Sequence, residues 1–86
     1  MLSENEYSSP LVAGQGGVMT EEVGVVTGDL ELRTTLSSDG VVTAKVRYAG
    51  AAEWYRVRGG SCRVADERDH AAVHSVLVGV LNRPGG

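Results

Sequence analysis

The sequence has little of what usually stabilises or exports a small protein. It contains no phenylalanine and only one cysteine, Cys62, so an internal disulfide is excluded. No run of about eighteen apolar residues occurs, so a membrane-spanning helix is not expected. Met1–Tyr7 carries two glutamates and no basic residue, unlike a secretory signal. We therefore expect a cytoplasmic protein with no membrane partner.

The length of 86 residues limits the chain to one domain with a modest core. Because no disulfide can support that core, two means of support are left. One is a well-formed layer of sheet against helix, and the other is burial of further apolar surface by self-association.

Charge is distributed unevenly along the chain, whose net charge is -3. Residues 1–40 contain seven acidic residues and only Arg33, whereas residues 41–86 contain seven basic and four acidic residues. Such asymmetry can indicate an anionic partner for the basic half. The alternative, which we favour, is that acidic and basic segments of the chain lie against each other.

The first part of the chain is predicted to be a flexible tail over residues 1–19. Ser8-Ser9-Pro10 and Ala13-Gly14-Gln15-Gly16-Gly17 offer little apolar surface to bury. The pattern changes at Thr20, so a single folded domain is predicted over residues 20–86.

Strands are predicted after this point from alternating apolar and polar residues. Residues 30–36 and 41–48 both alternate, and Ser37-Ser38-Asp39-Gly40 between them is a turn signal, so the two runs predict a β-hairpin. A third strand is predicted over residues 53–58, and Gly59-Gly60 separates it from a possible short fourth strand at residues 61–64.

The last element is predicted to be a helix that begins near Asp66, with Glu67 and Asp69 in its first turn. An apolar stripe is predicted to face the sheet and consists of Val73, Val76, Leu77, Val80 and Leu81. The alternate valines at 76, 78 and 80 leave a strand as the alternative. The predicted fold is α+β and two-layered, with an antiparallel three- or four-stranded meander covered by one C-terminal helix.

Candidate chemistry is sparse. His70 and His74 are four residues apart and, with Cys62, could supply three zinc ligands, but a structural site needs a fourth. A nucleophile pair of Cys62 with either histidine lacks any surrounding signature. We expect both histidines at the border between the apolar stripe and solvent, and we predict no catalytic residue, no metal and no cofactor.

The middle strands carry a basic and aromatic set that we predict to be an interaction surface: Lys45, Arg47, Trp54, Arg56 and Arg58. Cations with an exposed indole are typical of protein interfaces and also of surfaces that bind single-stranded nucleic acid. The plainer interpretation is a solvated face whose arginines pair with Glu31 and Glu53.

The terminal Gly85-Gly86 resembles the end of ubiquitin-like sulphur carriers and modifiers, which implies activation of the terminal carboxylate. The resemblance covers two residues, and the predicted order of elements departs from that family because the helix comes last. The sequence favours a small non-catalytic protein-interaction or regulatory module that self-associates as a dimer. A nucleic-acid-binding module is the alternative.

Overall fold

A meander of four antiparallel strands precedes a single helix in the computed structural model, which describes residues 5–84. Gly85-Gly86 and residues 1–4 lie outside this range. The elements are β1 (Glu6–Thr20), β2 (Gly24–Leu36), β3 (Val41–Tyr48), β4 (Tyr55–Arg63) and α1 (Asp69–Leu81). The predicted α+β architecture, an antiparallel meander with one C-terminal helix, is confirmed.

The predicted hairpin is formed by β2 and β3, with Leu36 opposite Val42 and Leu30 opposite Tyr48. Gly40 closes the turn at φ 85°, a conformation that glycine adopts without strain. Alternate residues of both strands point inward and are fully buried: Leu30, Leu32, Thr34, Val42, Ala44 and Val46. The period-two pattern therefore identified the inner face correctly, except that Tyr48 at its end is exposed.

The prediction of a flexible tail differs from the structure, which places residues 6–20 in β1. This strand pairs with β2 from Glu6 to Thr20, with an irregularity between Ala13 and Val18. Its inward residues Leu11, Ala13 and Val18 belong to the main hydrophobic cluster. The glycines that suggested flexibility have a structural role, since Gly17 has φ 67° and a Cβ there would lie 2.7 Å from the backbone oxygen of Val26.

The two ends of the sheet meet at a single residue pair, where Thr20 of β1 lies opposite Val57 of β4. This pair closes the four strands into a small barrel. The third predicted strand and the possible fourth are one element, because β4 continues through Gly59-Gly60 to Arg63. Most of β4 therefore extends past the point where the barrel closes.

The helix α1 covers the barrel and is fixed differently at its two ends. Towards its C-terminal end, Leu77, Val78 and Leu81 pack against the core cluster. The chain beyond α1 bonds to β1, because Val12 N–H donates to Asn82 Oδ1 at 2.9 Å and Arg83 N–H donates to the Val12 carbonyl at 2.7 Å. The described residues include no helix long and apolar enough to cross a membrane.

The face that α1 turns towards the barrel coincides with the predicted one only in part, because Leu77 and Leu81 of the predicted stripe pack against the core. The two buried residues of α1 are His70 and His74, whereas Val76 and Val80 of the predicted stripe are 62% and 55% exposed. The expectation that the histidines lie at the border with solvent is therefore wrong. The helix is rotated because the imidazoles have hydrogen-bonding partners inside the barrel, which valines could not satisfy.

Candidate functional site

The predicted basic and aromatic surface is brought together by the structure on the outer face of the sheet. Arg33 lies opposite Lys45, and Lys45 lies opposite Arg56, so three cations form a row across β2, β3 and β4. Trp54 precedes β4 and is half-buried, with the guanidinium carbons of Arg33 and Arg47 4.0 and 4.5 Å from its ring centre. The indole is therefore covered in part by cations of its own chain.

Most of the cations on this sheet face are paired with glutamates. Arg47 contacts Glu31 at 2.7 Å, as the plainer interpretation of the sequence expected. The other pairs are Arg33 with Glu6 at 3.1 Å, Arg56 with Glu22 at 3.0 Å and Arg58 with Glu21 at 3.8 Å. The hydrogen bond from Arg56 holds the pKa of the Glu22 carboxyl below its usual range. Lys45 has no such partner among residues 5–84.

The outer face of α1 presents the opposite chemistry. The thirteen residues from His70 to Asn82 include no Asp, Glu, Lys or Arg, so the exposed side of the helix carries no charge after Asp69 in its first turn. Its exposed residues are apolar or small: Ala71, Ala72, Ser75, Val76, Gly79 and Val80. A helix that faces only water normally carries charged residues on that side. We call this set the helix face.

An apolar depression continues from the helix face towards β4. Ala72, Val73, Val76 and Leu77 line a cavity of about 290 Å³. Val73 and Leu77 also line a second cavity of about 150 Å³, whose other wall includes Cys62 and Gly60 of β4. Cys62 is a free, exposed thiol at this place. The helix face and the part of β4 that follows Val57 therefore border one continuous apolar surface.

Beneath α1 lies a cluster of polar side chains that the sequence did not predict. The Thr34 hydroxyl is 2.9 Å from His70 Nε2 and 2.8 Å from His74 Nδ1, and His74 Nε2 is 2.8 Å from the Ser9 hydroxyl. The Tyr7 ring packs edge-on against His70, with ring centres 4.7 Å apart. We call these five residues the histidine cluster.

The number of available protons fixes which group donates in each hydrogen bond of the histidine cluster. The Thr34 hydroxyl has one proton, so it donates to one imidazole and accepts from the other. His70 Nδ1 is buried and has no partner within residues 5–84. A buried N–H without an acceptor is rarer than an unpaired lone pair, so His70 carries its proton on Nε2. His70 thus donates to Thr34, Thr34 to His74 Nδ1, and His74 Nε2 to Ser9.

Both imidazoles are held in the neutral form. Burial lowers the pKa of His70, an effect that the Thr34 backbone partly opposes. Burial also lowers the pKa of His74, and the neighbouring His70 lowers it further. Removal of an ionisable ring from water disfavours its charged state, which explains the direction of both shifts.

A serine beside an oriented histidine is also the pattern of a catalytic nucleophile, but the bond direction argues against that role for Ser9. The nucleophile must donate to its base, whereas Ser9 accepts from His74 in the arrangement above. Reversal of every hydrogen bond in the histidine cluster would leave a buried N–H on His70 without an acceptor. Zinc binding by the histidines would require them to give up Thr34 and Ser9, and no three potential ligands lie close enough together in the described part of the chain.

The sequence contains an indication of the histidine cluster. Thr34 occupies an inward position between Leu32 and Leu36 in the alternating run, so its hydroxyl needs a buried partner. Two histidines four residues apart on the only helix are suitable partners. The exposed helix face follows directly, because a helix that buries these histidines turns Val76 and Val80 outward.

Comparison with protein families, with curated proteins and with solved structures finds no match for this chain. Its function is therefore argued from the helix face, the outer sheet face and the histidine cluster. The first two can contact a partner directly, since they are exposed. The third lies between the helix face and the barrel, so it governs how firmly that face is held.

Proposed function

We propose that this chain is a non-catalytic protein-interaction module that self-associates through the helix face. The observation that carries the proposal is the pair of exposed valines, Val76 and Val80, on a helix side that carries no charge between Asp69 in the first turn and Arg83 beyond the last. Exposed apolar patches bordered by polar surface are typical of contact sites. The outer sheet face is a weaker candidate, because Trp54 and four of its cations already have partners.

A second copy of this chain is the partner that the helix face fits best. A two-fold contact places the same surface on both sides, so any charge near the axis would meet its own kind. The charge-free segment from His70 to Asn82 is centred on Val76, and an axis through this residue brings two apolar faces together without repulsion.

Gly79 supports a close approach of two helices. A Cβ at this position would meet no atom of residues 5–84 within 4 Å, so packing among these residues does not require glycine. Glycine nevertheless costs a helix interior about 1 kcal/mol relative to alanine. Contact between two backbones at the helix face gives this residue a use, since only glycine leaves room for it.

The area available predicts a weak, concentration-dependent dimer. A helix of this length spans about 20 Å, so its outer face alone offers less than the roughly 800 Å² per partner of a standard interface. The apolar depression towards β4 enlarges the contact. We expect a dissociation constant on the order of micromolar or weaker.

Light scattering behind size exclusion over a dilution series tests the proposal. The mass should fall from that of two chains towards 9.0 kDa on dilution. Replacement of both Val76 and Val80 with serine should leave a monomer at every concentration. The matched control replaces Val23 of the β1–β2 turn and Val25 near the start of β2, which are 50% and 49% exposed, and should behave as wild type. A wild-type chain that is monomeric throughout contradicts self-association.

Nucleic-acid binding is the second candidate, and the row Arg33–Lys45–Arg56 favours it. Three neighbouring cations beside an indole resemble the combination that tracks phosphates and stacks bases. The glutamates paired with Arg33 and Arg56 reduce the charge available to phosphates. Binding of this kind would weaken steeply as salt rises, whereas an apolar dimer contact would change little.

A further inference from the structure

The helix face is carried by an element whose N-terminal and C-terminal halves are attached by different means. The C-terminal half is fixed by Leu77, Val78 and Leu81 in the core and by the bonds to Val12, none of which involves a group that titrates near neutral pH. Within residues 5–84, the only side-chain hydrogen bonds between the N-terminal half of α1 and the barrel are those of His70 and His74.

Among residues 5–84, the one group that favours a charge on the histidine pair is the Thr34 backbone, and it raises the pKa of His70 by less than burial lowers it. Tyr7 and Ser9 face the pair from β1, Thr34 faces it from β2, and on α1 each histidine faces the other. No ion pair to either imidazole occurs among residues 5–84. A positive charge formed here would therefore be buried without a counter-charge, which is strongly unfavourable.

Each site for that proton leaves one buried donor without an acceptor. A proton on His70 Nδ1 has no acceptor, because this buried nitrogen has no hydrogen-bonding partner within residues 5–84. A proton on His74 Nδ1 forces the Thr34 hydroxyl to accept from both rings, and its own hydrogen then has no acceptor. Every buried N–H and O–H group of the cluster has an acceptor only when both rings are neutral. Protonation therefore requires the imidazoles to leave the barrel.

We propose that the histidine cluster makes self-association pH-dependent: below about pH 6, the N-terminal half of α1 detaches from the barrel and the two-copy contact is weakened. This inference rests on the proposed function, because it concerns the same helix face. Ala72 and Val73 belong to the half that detaches, so the contact loses part of its area while the core holds the C-terminal half in place.

The composition of the chain makes the experiment unambiguous. His70 and His74 are its only histidines, so no other side chain has an ordinary pKa near neutrality. The dimer dissociation constant should be measured by sedimentation or dilution at about pH 7.5 and about pH 5.5. In the wild type, we expect it to rise at least about tenfold on acidification.

His70→Gln is the matched variant. A glutamine amide can donate to Thr34 as Nε2 does, and its oxygen can accept the Thr34 hydrogen when His74 is protonated. The variant therefore satisfies the hydrogen bonds of the cluster in both states, although a charge on His74 stays buried. Its dissociation constant should rise over the same range, but by less than that of the wild type. An equal pH response in wild type and His70→Gln overturns the inference.

A second measurement keeps the inference testable if the chain does not self-associate or the variant does not fold. Methyl NMR signals of wild-type Ala71 and Ala72 should shift with the imidazole titration at low concentration, while those of Val80 and Leu81 should not. A wild-type monomer at both pH values contradicts the proposed function alone, provided that Ala71 and Ala72 still respond. Static methyl signals, or a dimer of equal affinity at both pH values, overturn the pH inference alone.

Discussion

The outer sheet face and the helix face differ in how their exposed groups are satisfied. On the sheet face, the cations contact glutamates and the indole contacts guanidiniums, so each group has a partner within its own chain, except for Lys45 among the residues described. On the helix face, Val76 and Val80 contact mostly solvent. A rich set of charged and aromatic residues therefore indicates a contact surface less well than a set of apolar residues left without neighbours.

The two faces also differ in what holds them in place. The sheet face is built on β2 and β3, which pair along seven residues through backbone groups that do not titrate. The helix face lies on an element whose N-terminal half is attached through two neutral histidines. Substitutions that add charge or bulk to the helix face should therefore have larger effects on self-association than substitutions that remove charge from the sheet face.

The largest effect is expected when charge is placed at the centre of the helix face. Val76→Glu and Val76→Lys should each raise the dimer dissociation constant by about 100-fold, because like charges then meet across the two-fold axis. An equimolar mixture of the two variants should recover self-association, since opposite charges then face each other. Sedimentation of each variant and of the mixture measures this directly.

The mixture also distinguishes a symmetric contact from other contacts. Val23→Glu and Val23→Lys carry the same charges at a comparably exposed valine away from α1, and they should self-associate as wild type does. Two monomeric Val76 variants that stay monomeric when mixed would place Val76 away from the axis. Undisturbed dimers of both single variants would contradict the helix face as the contact.

A smaller effect is expected at Gly79, where one substitution should stabilise the fold and weaken self-association. Gly79→Ala should raise the free energy of unfolding by about 0.5–1 kcal/mol at low protein concentration, because alanine favours the helix and its methyl group has free space. The same methyl group should weaken self-association by holding the two helices apart. Chemical denaturation and a dilution series on one preparation measure both quantities.

The divergence of these two quantities is the informative result. A substitution that stabilises the chain and weakens its dimer acts at a contact between copies, not on the fold. If Gly79→Ala stabilises the chain and leaves the dissociation constant unchanged, the helices do not approach each other at this residue, and the apolar depression beside β4 becomes the centre of the contact.

The sheet face could be predicted from the sequence because its geometry is local. Lys45 and Arg47 alternate with Val46 on β3, and the turn at Asp39-Gly40 fixes which residues of β2 lie opposite them. The order of elements and the inward residues of the hairpin follow from the same period of two. What could not be predicted was Trp54's position against Arg33 and Arg47, because Trp54 lies before β4 and not in the third strand predicted over residues 53–58.

The helix face could not be predicted because its orientation depends on contacts distant in sequence. Hydrophobicity favoured a helix that buries Val76 and Val80, yet the hydroxyl of Thr34, 36 residues before His70, rotates the helix towards the histidines. β1 was missed for a related reason. Its inward residues Leu11 and Ala13 are followed by glycines that resemble a linker, and only pairing with β2 shows that Gly17 is required by a bulge.

The smallest effect on folding and self-association is expected when the exposed arginines of the sheet face are removed. Arg56 and Arg58 are more than half exposed, and ion pairs that contact water contribute little because solvent and salt screen them. Replacement of both with alanine should leave the unfolding midpoint and the dimer dissociation constant close to wild type. The matched control is Arg68→Ala, which removes an exposed arginine paired with Asp66 outside the sheet face.

The same variant decides between the two candidate functions when a single-stranded oligonucleotide is titrated at about 50 and 200 mM salt. If the wild type binds with a steep salt dependence, and loss of Arg56 and Arg58 abolishes that binding while Arg68→Ala does not, the row that they continue is a phosphate-binding surface. The glutamates would then be displaced by phosphate, because a carboxylate held only at an exposed site competes poorly with several phosphates at once. Binding that is absent or insensitive to these arginines leaves the sheet face as a self-paired surface, and the helix face as the part of the molecule that needs a partner.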